Sequence, residues 1–151
     1  MREGSTSRAR WLLCSRLAAG LLAFGSLAAC GGTQVQPGTA AATDDQALAA
    51  DIAQGKSGAE VTFDAIVASE PADGGGHERF TVAARDGRVI EIDHNNSLAP
   101  EVPAHVGDQV VIRGQLYIDP GPRIGVHCTH AHTSRGCPIA GFIQLRGATY
   151  Q

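Results

Sequence analysis

The hydrophobic positions in the second part of the chain follow two different periods, the first of which is helical. Leu48 and Ile52 lie four residues apart within 44–54, which predicts a short helix over this segment. Thr43 and Gln46 have the spacing of a capping box, so we expect Thr43 to be the N-cap of the helix. After this helix the pattern changes to a period of two.

Apolar residues that alternate with polar or small ones predict a series of short strands. The expected strands cover residues 60–67, 80–84, 88–92, 109–117, 124–129 and 141–145, of which 141–145 is expected to be the last. Residues 71–76 predict a loose turn, and Asp86-Gly87 is the signal of a tight hairpin. A loop over about 94–105 separates the third expected strand from the fourth.

This strand content favours a small closed β-barrel, because closure removes the exposed edges of an open sheet. The stretch VGDQVVIRGQL over 106–116 is typical of the third or fourth strand of an OB-fold, and Gly114 would let that strand coil around the barrel. The sequence therefore predicts a mainly β protein, an OB-like barrel of five or six strands with one short N-terminal helix. An open sandwich of similar strand content is the alternative.

The N-terminal region has the layout of a secretory signal. Its basic residues are Arg2, Arg8, Arg10 and Arg16. The apolar run 17–25 that follows is shorter than the roughly 20 residues of a membrane span. It ends at Leu27-Ala28-Ala29-Cys30-Gly31, which resembles the lipobox of bacterial lipoproteins. We expect residues 1–29 to be a lipoprotein signal peptide and Cys30 to carry the lipid. A plain signal peptide or a buried N-terminal helix is the alternative.

The predicted export divides the rest of the chain into a tether and one domain. Residues 30–42 are rich in Gly, Thr, Ala and Pro and cannot bury a core, so they predict a disordered, flexible tether. Residues 43–151 are enough for a single small domain. The protein would face the periplasm or the cell surface, anchored to a membrane by its lipid.

Charge limits the classes of partner that this domain can bind. After removal of the signal, the chain keeps 8 of its 12 basic residues and 14 of its 15 acidic ones, a net charge of about −6. Nucleic acids bind to cationic surfaces and to aromatic side chains on which bases stack. A negatively charged protein with few aromatic residues in its strands is therefore poorly suited to bind them. The expected partners are therefore the membrane, through the anchor, and a small ligand or an envelope protein.

Several short motifs occur in series along the predicted domain. They are His77-Glu78-Arg79-Phe80, His94-Asn95, Leu98-Ala99-Pro100, Gly107-Asp108 and Gly125-Val126-His127-Cys128-Thr129-His130. In order and spacing, residues 44–151 resemble the bacterial domain-of-unknown-function family 3465. The resemblance implies a small exported barrel, and it implies no activity because none is assigned to that family.

Cys128 and Cys137 are the two cysteines of the predicted domain. Outside the cytoplasm such a pair is first a disulfide candidate. The resembled family typically has a Trp and a His at these two positions, and the joint change to cysteine favours a covalent bridge. Closing a loop of about ten residues would add roughly 3 kcal/mol of stability. Zinc ligation by the two thiolates and a pair of free thiols are the alternatives.

The histidines suggest a metal site, since neutral imidazole commonly binds zinc or copper. The candidate ligands are His127 and His130, joined by His94 or His77. On a strand, His130 and His132 would share a face and His127 would point to the other. Alternatively, these side chains only cap loops or transfer protons without a metal. Candidate ligand-binding residues are Arg79, Asn95 and Arg135.

The sequence gives three hypotheses of function. The first is a membrane-anchored, non-enzymatic OB-like module that binds a metal ion or a small polar ligand. The second is a metal-dependent hydrolase of the phosphodiesterase type, with Arg79 or Arg135 on the phosphate oxygens. Asp93 beside His94 and Glu78 beside His77 are the candidate bases for such an enzyme. The third is a structural envelope protein. The chain has no Ser-His-Asp order, nucleotide loop or paired-carboxylate motif, so the enzyme hypothesis has the weaker support.

Overall fold

The computed structural model describes residues 41–121 and 123–151. The predicted signal peptide, Cys30 and the tether up to residue 40 lie outside these residues. Residues 41 and 42, which end the predicted tether, have no regular secondary structure. In the part of the chain that is described, no helix is long and apolar enough to cross a membrane.

The described chain forms one helix and eight strands. These are α1 (Asp45–Ala53), β1 (Glu60–Val67), β2 (Ala72–Gly74), β3 (His77–Ala84), β4 (Val89–His94), β5 (Gln109–Asp119), β6 (Arg123–His127), β7 (Phe142–Leu145) and β8 (Ala148–Tyr150). Part of the segment 71–76 is therefore not a loose turn but a short strand that pairs with the start of β3.

A second correction concerns the end of the sheet, because β7 is not the last strand. The two-residue loop Arg146-Gly147 joins β7 to β8, with Leu145 paired to Ala148. Both loop residues have a positive φ, 50° at Arg146 and 81° at Gly147, as in the tight turns that match strand twist. An arginine rarely adopts this conformation, so the sequence pattern gave no hairpin signal here.

Five strands close into a barrel in the order β1-β3-β4-β6-β5, and β5 pairs back to β1. All of these pairs are antiparallel except β4 with β6, which is parallel. The short strand β2 extends the sheet beside β3, and the β7–β8 hairpin extends it beside β5. The predicted OB-like barrel with one short helix is thus confirmed, and the open sandwich is wrong.

Alternation along the strands builds the core, since every second side chain points into the barrel. The largest fully buried apolar side chains include Phe63, Phe80, Ile92, Ile112 and Leu116. Burial of one such side chain contributes about 1.5–3 kcal/mol. The same alternation directs the intervening polar side chains of β3, β4, β5 and β6 outward, onto one continuous surface.

Helix α1 begins one residue later than the capping-box pattern indicated. Asp44 is the N-cap, and its carboxylate accepts a hydrogen bond from the Ala47 amide at 2.8 Å. The Thr43 hydroxyl instead donates to Asp64 of β1 at 2.8 Å. The Asp44 amide also donates to the Thr62 carbonyl at 2.8 Å, so pairing with β1 decides where the helix starts. Thr43 as the N-cap was wrong.

Candidate functional site

The outer surface of β3, β4, β6 and the second half of β5 carries a connected group of polar side chains, which we call the strand face. Its members are Arg79, Glu91, Asp93, Gln115, Tyr117, Arg123 and His127. All are at least partly exposed, in contrast to their apolar sequence neighbours. OB-type barrels bind oligosaccharides and oligonucleotides on the face of their second and third strands, which correspond to β3 and β4 here.

Tyr117, Glu91 and Arg123 form the centre of the strand face. The Tyr117 hydroxyl donates to Glu91 Oε1 at 2.8 Å, and the Arg123 guanidinium donates to the same oxygen. The guanidinium carbon also lies 5.5 Å from the centre of the Tyr117 ring. The bond from Arg123 lowers the pKa of Glu91, and burial raises the pKa of Tyr117. Glu91 is therefore an anion, held by a tyrosine that keeps its proton.

The position of the Tyr117 ring depends on a glycine in the neighbouring strand. Gly125 is the register partner of Tyr117 across β5 and β6. A Cβ atom at Gly125 would overlap the Tyr117 ring and hydroxyl. The missing side chain lets the ring lie flat on β6, which brings its hydroxyl to Glu91 on β4.

Two further pairs flank this centre. Arg79 Nε lies 3.3 Å from Asp93 Oδ1. This ion pair does not have the angles of a hydrogen bond. Asp93 Oδ1, a buried atom, therefore has no hydrogen-bond partner among the described residues. On the other side, His127 Nε2 lies 3.2 Å from Gln115 Oε1, and its ring packs edge-on against Tyr117 at 5.7 Å between centres. Asp93 Oδ1 is thus shielded from solvent beside the Arg79 guanidinium.

His94 lies behind this surface and is completely buried. Its Nε2 is 3.1 Å from the Pro100 carbonyl, so this nitrogen carries the proton and donates it. Its Nδ1 is therefore an acceptor, and the Thr129 hydroxyl donates to it at 2.7 Å. Burial lowers the pKa of His94, and protonated His130 and His77 would lower it further. His94 is a neutral core residue with no ring nitrogen left for a metal ion.

The Thr129–His94–Pro100 chain has the connectivity of a hydroxyl nucleophile, a base and an orienting group. However, Thr129 and His94 both have no exposed surface. No substrate can reach the hydroxyl in this structure. The arrangement therefore joins the end of β4 to the segment after β6 and does not form a reactive centre.

His130 lies in the loop after β6, because that strand ends at His127 and not at residue 129 as expected. Only 4% of His130 is exposed, and its Nδ1 finds no hydrogen-bond partner within the described part of the chain. Burial lowers the pKa of this imidazole. The ring of His132 is 6.2 Å away between centres. His127 and His130 thus face different surroundings, the strand face and the loop.

Cys128 and Cys137 are joined by a disulfide with 5.5 Å between their Cα atoms, as expected. The zinc-thiolate and free-thiol alternatives do not apply to this oxidised form. The bridge closes the segment 128–137, which carries His130 and His132. Among residues 41–121 and 123–151, no three His, Cys, Asp or Glu side chains form a group that could hold a metal ion.

The remaining candidate residues lie apart from the strand face or serve the backbone. The Asn95 side chain accepts from the Ser97 amide at 3.0 Å and begins the turn after β4. Arg135 is exposed in the disulfide loop, and His77 is half-buried at the start of β3. Glu78, a candidate base beside His77, is buried and accepts from the Val102 amide at 3.0 Å. Burial raises the pKa of Glu78.

Four of the seven members of the strand face are not among the candidate residues predicted from the sequence. Glu91, Gln115, Tyr117 and Arg123 occupy alternate positions of the predicted strands, and this alternation was the available signal. None of them belongs to a motif, so only the pairing of β4, β5 and β6 shows that they meet.

A groove of about 600 Å³ lies on the outer surface of β1, β3, β5 and β7, away from the strand face. Its apolar floor includes Ile66, Ala83 and Val111. Its two arginines are held by carboxylates: Arg85 by Asp45 at 3.0 Å and Asp64 at 3.2 Å, and Arg146 by Asp108 at 2.7 Å. This groove has none of the connected polar network of the strand face.

Comparisons with known proteins do not assign this chain to a family. No protein-family model matches it, and no curated protein shows significant sequence similarity to it. The resemblance to the domain-of-unknown-function family therefore stays a prediction.

Proposed function

We propose that the chain is a non-enzymatic binding module, anchored outside the cytoplasm by a lipid on Cys30, whose strand face binds a small polar ligand rich in hydroxyl groups. The observation that carries the proposal is the Tyr117–Glu91–Arg123 network at the centre of this face. Glu91 of this network lies on β4, which with β3 corresponds to the second and third strands on which OB-type barrels bind ligands. The barrel supplies a rigid support for it.

The chemistry of the strand face favours a ligand with hydroxyl groups. Arg79 is paired with Asp93, and Arg123 with Glu91 and Asp119, so the face has no excess positive charge to attract a polyanion. A hydroxyl both donates and accepts, so it can bond to a carboxylate and a guanidinium together. A short oligosaccharide fits these requirements.

The same geometry weighs against single-stranded nucleic acid. Sequence-tolerant binding of nucleic acid needs aromatic faces on which bases stack. The Tyr117 ring lies against Gly125 on one side, and the Arg123 guanidinium lies over it. A base could stack here only after Arg123 moved and broke its bonds to Glu91.

A metal-dependent hydrolase has less support from the geometry. Both ring nitrogens of His94 are hydrogen-bonded, and Nε2 of His127 is bonded to Gln115. Two of the four histidines proposed as ligands therefore already have other partners. The hydroxyl that a histidine could activate, on Thr129, is buried.

The proposed anchor limits where the strand face can act. Residues 30–40 would span at most about 40 Å when fully extended. The described chain begins beside β7, where the Ala41 amide donates to Gln144 Oε1 at 3.4 Å. The barrel would therefore sample ligands close to the membrane surface.

Calorimetric titration of the full-length protein tests the proposal. The probes are maltotriose, chitotriose and, as a charged comparison, inorganic phosphate. Arg123→Gln should weaken the binding of a saccharide probe about tenfold, because a lost charge-assisted hydrogen bond costs roughly 1.4 kcal/mol or more. Arg85→Gln in the groove is the matched control and should bind normally. Absence of saccharide binding, or equal losses in both variants, would contradict the proposal.

A further inference from the structure

We propose that His127 selects the ligand of the strand face by accepting a hydrogen bond, at the unprotonated Nδ1 of its ring, from a hydroxyl group of that ligand. The inference rests on the proposed function and identifies one contact that the ligand makes. A ligand that carries only acceptors would leave this contact unmade, so the position distinguishes hydroxyl-bearing ligands from others of similar size.

The argument begins with three polar side chains that lie in one row across β1, β5 and β6. Glu60 is the register partner of Gln115, and Gln115 is the register partner of His127. All three side chains are partly exposed on the outer surface of the barrel. Directly opposite residues of antiparallel strands have Cβ atoms only about 4.5–5.5 Å apart, so these side chains can form hydrogen bonds in series.

The direction of the hydrogen bonds along this row follows from Glu60. A carboxylate only accepts, so the Gln115 atom that lies 3.3 Å from Glu60 Oε1 is the amide nitrogen, Nε2. The side-chain oxygen of Gln115 therefore points to His127 and lies 3.2 Å from its Nε2. Since this oxygen also only accepts, His127 Nε2 carries a proton and donates it.

The second ring nitrogen of His127 is consequently an acceptor. In a neutral imidazole one nitrogen carries the proton and the other has a free lone pair. Within residues 41–121 and 123–151, Nδ1 of His127 has no hydrogen-bond partner, and it is not among the buried polar atoms that lack one. Nδ1 is therefore open to solvent, and a ligand can reach it.

The ring of His127 has a fixed position next to the centre of the strand face. It packs edge-on against Tyr117, with 5.7 Å between the ring centres, and it is bonded to Gln115 on β5. Gln115 is itself held by Glu60, so the ring has little freedom to rotate. A ligand that contacts Tyr117 thus meets an acceptor that is already oriented, which reduces the entropy cost of binding.

Nitrogen NMR of the full-length protein tests the orientation of the ring without a ligand. At about pH 8 we expect His127 to carry its proton on Nε2 and to have an unprotonated Nδ1. Gln115→Met removes the acceptor from a side chain of similar length, so the Nε2 proton should exchange faster with water. A proton on Nδ1 in the wild-type protein, or an unchanged exchange rate in Gln115→Met, would overturn the inference.

Titration of the full-length protein with maltotriose and chitotriose tests the contact itself. The Nδ1 signal of His127 should shift when a saccharide binds. His127→Phe keeps a planar ring but has no acceptor, so it should bind the saccharide about fivefold more weakly. His105→Phe changes an exposed histidine that pairs with Glu70, and this matched control should bind with unchanged affinity.

The outcomes of this titration separate the inference from the proposed function. Suppose that a saccharide binds and that Arg123→Gln weakens its binding. If His127→Phe then binds normally, or if the Nδ1 signal does not move, the strand face is the binding surface but the contact with His127 is wrong. If neither saccharide binds, the proposed function and this inference are both overturned.

Discussion

The hydroxyl of Thr129 lies 2.7 Å from Nδ1 of His94, with both residues fully buried. His94 Nε2 donates to the Pro100 carbonyl, so the ring proton is on Nε2 and Nδ1 is an acceptor. The bond from Thr129 is the only one that Nδ1 accepts within the described chain. This pair connects the end of β4 with the segment after β6, behind the strand face. It therefore links the stability of the barrel to the protonation of a buried imidazole.

Replacement of Thr129 by valine should destabilise the protein by about 1–3 kcal/mol, because it leaves a buried acceptor on His94 unsatisfied. The two side chains have nearly the same shape, so little packing is lost. Urea unfolding measures the change. Thr149→Val, at an exposed position of β8, should change the free energy of unfolding by less than about 0.5 kcal/mol. A stability equal to that of the wild type in Thr129→Val would show that the bond is unimportant.

Mild acid should destabilise the fold through its buried histidines. Burial lowers the pKa values of His94 and His130 below their ordinary value of 6.5. As the pH falls below about 6.5, the unfolded chain binds protons that the folded chain refuses, so the free energy of unfolding decreases. Urea midpoints at about pH 7.5 and 5.5 measure this decrease. The NMR signals of His94 should show a ring that gains its proton at a lower pH than an ordinary imidazole does.

Two carboxyl groups matter for reading that pH profile. Burial raises the pKa of Glu78. The protonated carboxyl group therefore stabilises the fold at acidic pH, and this stabilisation is lost as the pH rises. Glu78→Gln keeps an acceptor for the Val102 amide and removes this opposing contribution. The bond from Arg123 lowers the pKa of Glu91, so its stabilisation is lost only as the pH falls below about 4.5. A midpoint that rises between pH 7.5 and 5.5 in Glu78→Gln would contradict the histidine assignment.

Removal of the disulfide should lower the free energy of unfolding by about 3 kcal/mol, the chain-entropy cost of a loop of about ten residues. The variant Cys128→Ser/Cys137→Ser and the chemically reduced wild type should show the same loss in urea unfolding. If the two losses agree, the missing disulfide is their cause. A loss in the variant that reduction does not reproduce would attribute it to the serine side chains.

Gly125→Ala should destabilise the barrel by about 1–3 kcal/mol, because the added methyl group overlaps the Tyr117 ring. If this overlap is the cause, Tyr117→Ser should remove most of the penalty when the two substitutions are combined. Unfolding of the single and double variants forms a cycle that measures this coupling. Gly136→Ala is a control, since the nearest atom to a Cβ there is Ser134 Oγ at 3.9 Å. If the losses of unfolding free energy in the two single variants simply add in the double variant, the overlap with the Tyr117 ring is not the cause.

Much of the fold was predictable because alternation in the sequence reports burial directly. The apolar positions of β1, β3, β4 and β5 matched the barrel interior, and Gly114 lies where its strand crosses the backbone of β6. The errors came from features that alternation does not encode. Strand β8 follows a turn in which Arg146 has an unusual backbone conformation, and the helix start depends on a bond between Asp44 and β1.

The candidate site was less predictable, because it depends on which strands are neighbours. Glu91 lies 26 residues before Tyr117 and 32 before Arg123, and the parallel pairing of β4 with β6 brings it to them. The burial of His94 also needed tertiary structure, since the Pro100 loop and Thr129 cover a residue at a strand end. Of the four histidines predicted as metal ligands, His94 and His130 are buried, whereas His77 and His127 are partly exposed.

The most direct test of the binding proposal is amide chemical-shift mapping of the full-length protein with maltotriose and chitotriose. If the strand face binds the ligand, the shifts should centre on Glu91, Gly125 and Tyr117, and the amides of Ile66 and Val111 in the groove should not move. Shifts confined to the groove, or no shifts at all, would contradict the assignment of the strand face as the binding surface.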